Sequence, residues 1–145
     1  MRAHAAVTAL LIILPLAACG GGLSKSELVK QGDAICKSVN DQVAKEPDPT
    51  TAADLAALAK KTVKISDPAI EDMEALEPPS ELEKDFDAFV ASLKKQRDLT
   101  KQIGDAAAAG DTAKIQQVGA DAQKAQQEYR RLAGEIGFKE CGGGN

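Results

Sequence analysis

Apolar residues recur every third or fourth position through most of this chain, in runs broken by proline and glycine. That spacing gathers the apolar side chains on one face of a helix. The first run opens at Leu23-Ser24-Lys25-Ser26-Glu27-Leu28. Ser24 and Glu27 have the spacing of a capping box, and Leu23 and Leu28 stand where a hydrophobic staple clamps the entry. Leu28, Gly32, Ile35, Val39 and Val43 share the apolar face, with Cys36 beside it. Glu46-Pro47-Asp48-Pro49 ends the run as a stiff, extended connector. The second run starts at Thr51, with Asp54 three residues on, and its stripe is Leu55, Leu58, Thr62, Ile65, Ala69, Met73 and Leu76. Pro68 falls inside it and removes a helical hydrogen bond. Either the helix kinks there, or Asp67 caps a fresh helix with Pro68 at its first position. The stripe stays in phase across Pro68, which favours the kink.

Pro78-Pro79 stops the second run, and Ser80 with Glu83 suggests a capping box for the third. Its stripe, Leu82, Phe86, Phe89, Leu93, Gln96, Thr100, Ile103 and Ala107, alternates steps of four and three, the pattern of shallow left-handed packing. Gly110 ends this run and Asp111 caps the next. Ile115, Val118, Ala122, Ala125, Tyr129, Leu132 and Ile136 then continue the alternation to Gly137, with Phe138 placed to pack back on Leu132. Amphipathic helices joined by short connections become antiparallel neighbours. The expected fold is all-α, an up-down-up-down four-helix bundle over residues 24–141 with a kinked second helix. A three-helix bundle with the first helix apart is the alternative.

The start of the chain has a different pattern. Met1, Arg2 and His4 precede an apolar stretch from Ala5 to Ala18 that ends in Leu16-Ala17-Ala18-Cys19. This is the layout of a secretory signal peptide. The stretch is shorter than the roughly 20 apolar residues that span a bilayer. A cut after Ala18 by an ordinary signal peptidase would leave an N-terminal cysteine without a role. The motif resembles a lipobox, and the chain resembles the small, exported, all-helical lipoproteins of actinobacteria. The likeness extends to Asp33-Ala34-Ile35-Cys36, Leu76-Glu77-Pro78-Pro79, Ala109-Gly110-Asp111 and Gly137-Phe138-Lys139-Glu140-Cys141-Gly142. It implies removal of residues 1–18 and a diacylglycerol on Cys19, the one covalent cofactor expected. Residues 19–23 would be a lipidated cysteine with a short glycine tether, and residues 142–145 a flexible glycine tail. The location implied is the extracytoplasmic side of the cell membrane, with the bilayer engaged through the lipid.

Charge and cysteine usage fit that location. Without Arg2 the 18 basic residues become 17 against 22 acidic, a net charge of −5. Such a balance argues against nucleic acid, which needs basic surface. About 125 residues make one domain, and a monomer is expected. Lipidation would leave Cys36 and Cys141 of the three cysteines. An oxidising compartment favours a disulfide between them. Two free thiols and a metal site compete with it, although two cysteines without histidine make a poor zinc site. A bundle aligned flush would put Cys36 level with Lys124, about 20 Å along the fourth helix from Gly137. Gly137 to Cys141 reaches only about 13 Å. Either the first helix slides toward the tethered end or the tail climbs the bundle.

Candidate chemistry is sparse. With no histidine after residue 18 and both remaining cysteines engaged, the usual nucleophile–base pairs are missing, so no catalytic residue and no enzyme is expected. One end of the expected bundle collects Met73, Leu76, Leu82, Phe86, Phe89, Tyr129, Leu132 and Phe138; the other is small or polar. There Thr62, Gln96 and Thr100 are candidate ligand-facing core positions, set against an ordinary core in which Gln96 reaches partly to solvent. Glu74, Glu77, Glu81 and Asp85 crowd the Pro78-Pro79 corner, a candidate patch for docking a basic partner or a weak cation site, though no calcium loop is present. Two function classes follow. The one expected is a non-enzymatic cell-envelope module that presents a helical surface to an envelope protein or to the cell wall. The other is a bundle that binds or senses a small molecule or ion. A dry core around Gln96 and Ala122 would favour the first, and a cavity of a few hundred cubic ångströms faced by Gln96 and Thr100 the second.

Overall fold

A computed structural model describes residues 22–142 as four helices, with no strand among the described residues. They are α1 (Lys25–Val43), α2 (Ala52–Glu74), α3 (Glu83–Ala108) and α4 (Thr112–Ile136). Residues 1–18, expected to be a signal peptide, Cys19 and residues 143–145 lie outside the described residues. Two capping boxes form as their spacing requires: Ser24 with Glu27 opens α1, and Thr51 with Asp54 opens α2. Asp111 caps α4 by accepting from the Lys114 N–H at 2.9 Å. Gly137 ends α4 at φ 104°, a left-handed conformation that costs a residue without Cβ little.

The third start differs from expectation. Ser80 makes no capping box; α3 begins at Glu83, and Leu82 stands at the cap position with no side-chain bond. The Leu82 N–H donates to Pro79 O at 2.8 Å, so the two prolines wind the approach into a turn. Leu82 is buried in the core, and that burial sets where the helix starts. α2, by contrast, runs unbroken through Pro68, so Asp67 caps no new helix.

Each helix packs on its sequence neighbour: α1 on α2, α2 on α3, α3 on α4. The pairs run antiparallel, because Lys94 meets Glu74 while Arg97 meets Asp67, and Gln96 meets Gln126 while Phe89 meets Tyr129. α2 and α3 approach closely where Gly104 faces Ala59; a Cβ on Gly104 would lie 2.7 Å from the Ala59 Cβ.

The core is uneven along the axis. The main cluster joins Leu28, Met73, Phe86, Phe89, Leu132, Ile136 and Phe138 with both cysteines. All four aromatic residues of the chain lie here, with Phe89 5.4 Å from Tyr129 and 5.0 Å from Phe138 between ring centres. Complete burial of a side chain such as Phe89 contributes about 1.5–3 kcal/mol. The second cluster is small: Leu99, Val118 and Ala125, with Ile103 and Ala122 beside them.

Cys36 and Cys141 are joined by a disulfide. Both resolutions of the register problem occur. Cys36 lies level with Tyr129, its sulfur 3.8 Å from the phenol, and so α1 sits lower than a flush bundle would place it. The tail then climbs α1. Gly137 lies beside Val29, Phe138 covers Gly32, and the Lys139 and Glu140 N–H groups both donate to Asp33 Oδ1 at 2.9 Å. Asn40 Nδ2 donates to Glu140 O at 3.0 Å above them. Leu23, expected in the tether, belongs to the fold: its N–H donates to Glu77 O at 2.7 Å and its side chain packs on the main cluster.

Candidate functional site

A pocket of about 220 Å³ lies near the middle of the molecule, between the two clusters. Every helix and the tail contribute to its wall. α1 supplies Ile35, Cys36, Val39 and Asn40; α2 supplies Thr62, Ser66, Ala69, Ile70 and Met73. α3 adds Leu93, Gln96, Arg97 and Thr100, α4 adds Gln126 and Tyr129, and Cys141 closes the circuit. The disulfide is therefore part of the wall.

The pocket exists because of what the helices place there. The α3 seam changes from large to polar partway along, so Gln96 and Thr100 follow the bulky Phe89 and Leu93. Opposite them, α2 offers Thr62, Ser66 and Ala69, all small. No side chain fills the space between. The three candidate ligand-facing residues, Thr62, Gln96 and Thr100, come together on this wall, and all three are half-buried.

Hydrogen bonding leaves some of this polar lining unspent. The Thr100 and Ser66 hydroxyls donate to Gln96 O and Thr62 O, the carbonyls one turn earlier, at 3.0 and 2.8 Å. Gln96 Nε2 donates to Gln126 Oε1 at 2.8 Å, which leaves Gln96 Oε1 and Gln126 Nε2 available. With both sulfurs oxidised, the Tyr129 phenol is the donor in its contact with Cys36 Sγ. Burial pushes the Tyr129 hydroxyl above its ordinary pKa, and the nearby Asp33 charge adds to that, so the phenol stays neutral over the physiological range.

Arg97 was not singled out by its spacing, yet it is the one charged side chain of the wall. Its Nη1 donates to Asp67 Oδ1 at 3.2 Å. Its Nε lies 2.9 Å from Asp98 Oδ1 without the alignment of a hydrogen bond. Tyr129 and Ser66 were likewise missed as site residues. A Tyr in a helical seam reads as core, and Ser66 falls one position off the α2 stripe. The buried positions of α2 are Ala59, Ile70 and Met73, so its inner face is turned from Leu58 and Ile65, while Thr62, Ala69 and Met73 of the expected line stay inside.

The acidic corner does not form a site of this kind. Glu74 pairs with Lys94 across the α2–α3 contact. Glu77 and Glu81 are exposed and Asp85 is half-buried, and among the described residues no three acidic or thiol side chains converge as a metal ion requires. Comparison with protein-family models, with curated proteins and with solved structures yields no match to this chain.

Proposed function

We propose that the chain is an exported, lipid-anchored binding module that holds a small molecule in its central pocket. In this reading residues 1–18 are removed, Cys19 carries the diacylglycerol, and the helices form an up-down-up-down bundle bent at Pro68. The chain performs no catalysis of its own. The observation that supports it is a cavity of about 220 Å³ on whose wall Thr62, Gln96 and Thr100 meet. Pockets that hold ligands are concave and combine apolar walls with polar groups that fix orientation, and this lining combines the two.

The position of Gly22 supports one orientation of the body. Gly22 lies against the Glu77-Pro78 corner, where a Cβ would come within 2.9 Å of Pro78 O. Cys19 precedes it by three residues. The acidic corner would therefore face the bilayer, and the pocket would stand away from it. Acidic side chains beside an anionic surface repel it and keep the body upright.

The test has two arms. Replacing Cys19→Ser in the full chain is expected to move the protein from the membrane fraction to the soluble exported fraction. A fragment collection screened by thermal shift is expected to find stabilisers, and Thr62→Val with Gln96→Leu is expected to abolish their effect. If no compound stabilises the protein, while crosslinking from Glu81 or Asp85 in intact cells captures one envelope protein reproducibly, the module is an interaction surface instead.

A further inference from the structure

The ligand-binding reading leaves open which chemistry the pocket takes, and the wall itself constrains it. Arg97 is its only charged residue, and that charge is already matched twice. The guanidinium lies 3.2 Å from Asp67 Oδ1 through Nη1 and 2.9 Å from Asp98 Oδ1 through Nε. Neither carboxylate belongs to the wall. An anion entering the pocket meets a guanidinium whose charge is offset by two carboxylates outside the wall. A cation meets the same guanidinium with no carboxylate on its own side. Either ion would give up part of its hydration with little charge compensation, even where an anion reaches the Arg97 N–H groups that Asp67 and Asp98 leave free. An uncharged ligand avoids that cost.

The unspent polar groups are those that suit a neutral polar end. Gln96 Oε1 accepts and Gln126 Nε2 donates, side by side across a 2.8 Å hydrogen bond. The Thr62 hydroxyl makes no hydrogen bond among the described residues. A hydroxyl or primary amide, which both gives and takes a hydrogen bond, fits this set better than a carboxylate or an ammonium. Leu93, Ile70, Met73 and Val39 give the wall an apolar part. A cavity near 150 Å³ accepts benzene, so this volume encloses about nine non-hydrogen atoms by proportion.

We propose that the pocket selects an uncharged amphipathic molecule of about that size, with its apolar body against Leu93, Ile70 and Met73 and a hydroxyl or amide among Gln96, Gln126 and Thr62. The proposal rests on the ligand-binding reading and adds the rule by which ligands are chosen: charge matching of Arg97 by Asp67 and Asp98 excludes ions.

The experiment compares four probes of one shape, 2-phenylethanol, phenylacetate, 2-phenylethylamine and ethylbenzene, against the full-length protein with its disulfide intact. Tyr129 is the only tyrosine of the chain and lines the pocket, so its ring resonances report occupancy directly. The expected result is binding of 2-phenylethanol at least about tenfold tighter than either charged probe. Thr62→Val should weaken 2-phenylethanol about fivefold, in the range of one net hydrogen bond, and leave ethylbenzene unchanged. Asp67 and Asp98 are 47% and 59% exposed, so Asp67→Asn with Asp98→Asn should preserve the fold. That pair should strengthen phenylacetate about tenfold by freeing Arg97. Phenylacetate or phenylethylamine binding as tightly as 2-phenylethanol to the unaltered chain overturns the selection rule and leaves the ligand-binding reading intact. If none of the four moves the Tyr129 resonances, the ligand-binding reading fails with it.

Discussion

Gly32 has no side chain, and Phe138 uses the space. A Cβ there would lie 2.4 Å from Phe138 Cε1, and the buried ring, tilted against Phe89 at 5.0 Å between centres, has little room to retreat. Gly32→Ala should therefore destabilise by about 1–3 kcal/mol despite the better helix propensity of alanine, as measured by urea denaturation. An unchanged midpoint would mean that the tail docks elsewhere. Tyr129 makes a second prediction at this scale. Its folded pKa is raised, so the neutral phenol is favoured in the fold and the stabilisation is fully present below the ordinary value of 10.0. Stability should fall as pH rises above 10 and continue to fall toward the higher folded value, and Tyr129→Phe should flatten that decline. Phenolate absorbance during the titration checks it. At the level of single residues, the sequence reveals those whose geometry has one solution: Gly137 at a left-handed helix end, Asp111 at a cap, Thr62 and Gln96 as polar interruptions of an apolar seam. Arg97 was not legible, because an arginine one position off a stripe looks like any solvated charge. Its partners Asp67 and Asp98 had to be placed first.

Among the elements, the capping boxes separate what sequence spacing can predict from what packing decides. Ser24 with Glu27 and Ser80 with Glu83 have the same spacing, and only the first forms. The second loses because Pro78-Pro79 winds the chain into a turn and Leu82 is held in the core, which moves the helix start past Ser80. Ser24→Ala should cost about 1 kcal/mol, the usual loss for an N-cap, whereas Ser80→Ala should be close to neutral. Thermal unfolding of the two variants side by side decides this, and equal losses would contradict the assigned start of α3. The face of α2 was misjudged for a related reason. Periodicity alone put Leu58 and Ile65 inward, but close contact between Ala59 and Gly104 turns the helix toward α3 and buries Ile70 instead. Small residues set helix orientation by allowing approach, and a hydrophobic pattern gives them little weight.

For the whole molecule, the disulfide carries the largest single prediction. Cys36 and Cys141 are 105 residues apart, and a loop of that size is worth about 4–5 kcal/mol in the chain-entropy account. Cys36→Ser with Cys141→Ser should lower stability by an amount of that order, read from denaturation curves with and without reductant. A shift under about 1 kcal/mol would imply that the tail is held by Phe138 and Asp33 alone. The pairing was legible from the cysteine count and the oxidising compartment that the N-terminal pattern implies. The pocket was legible only as a set of polar residues, since its volume depends on how far α1 slides and how the tail climbs, which no local pattern encodes. The same bond has a topological consequence. Because it spans α2, α3 and α4 whole, those helices and their connections form a closed covalent ring, with the first turns of α1 as a handle. A protease that nicks the Pro47–Thr50 connector or the Gly110 bend opens the ring without dividing the molecule. Such a cut should go unseen by size until a reductant separates the pieces.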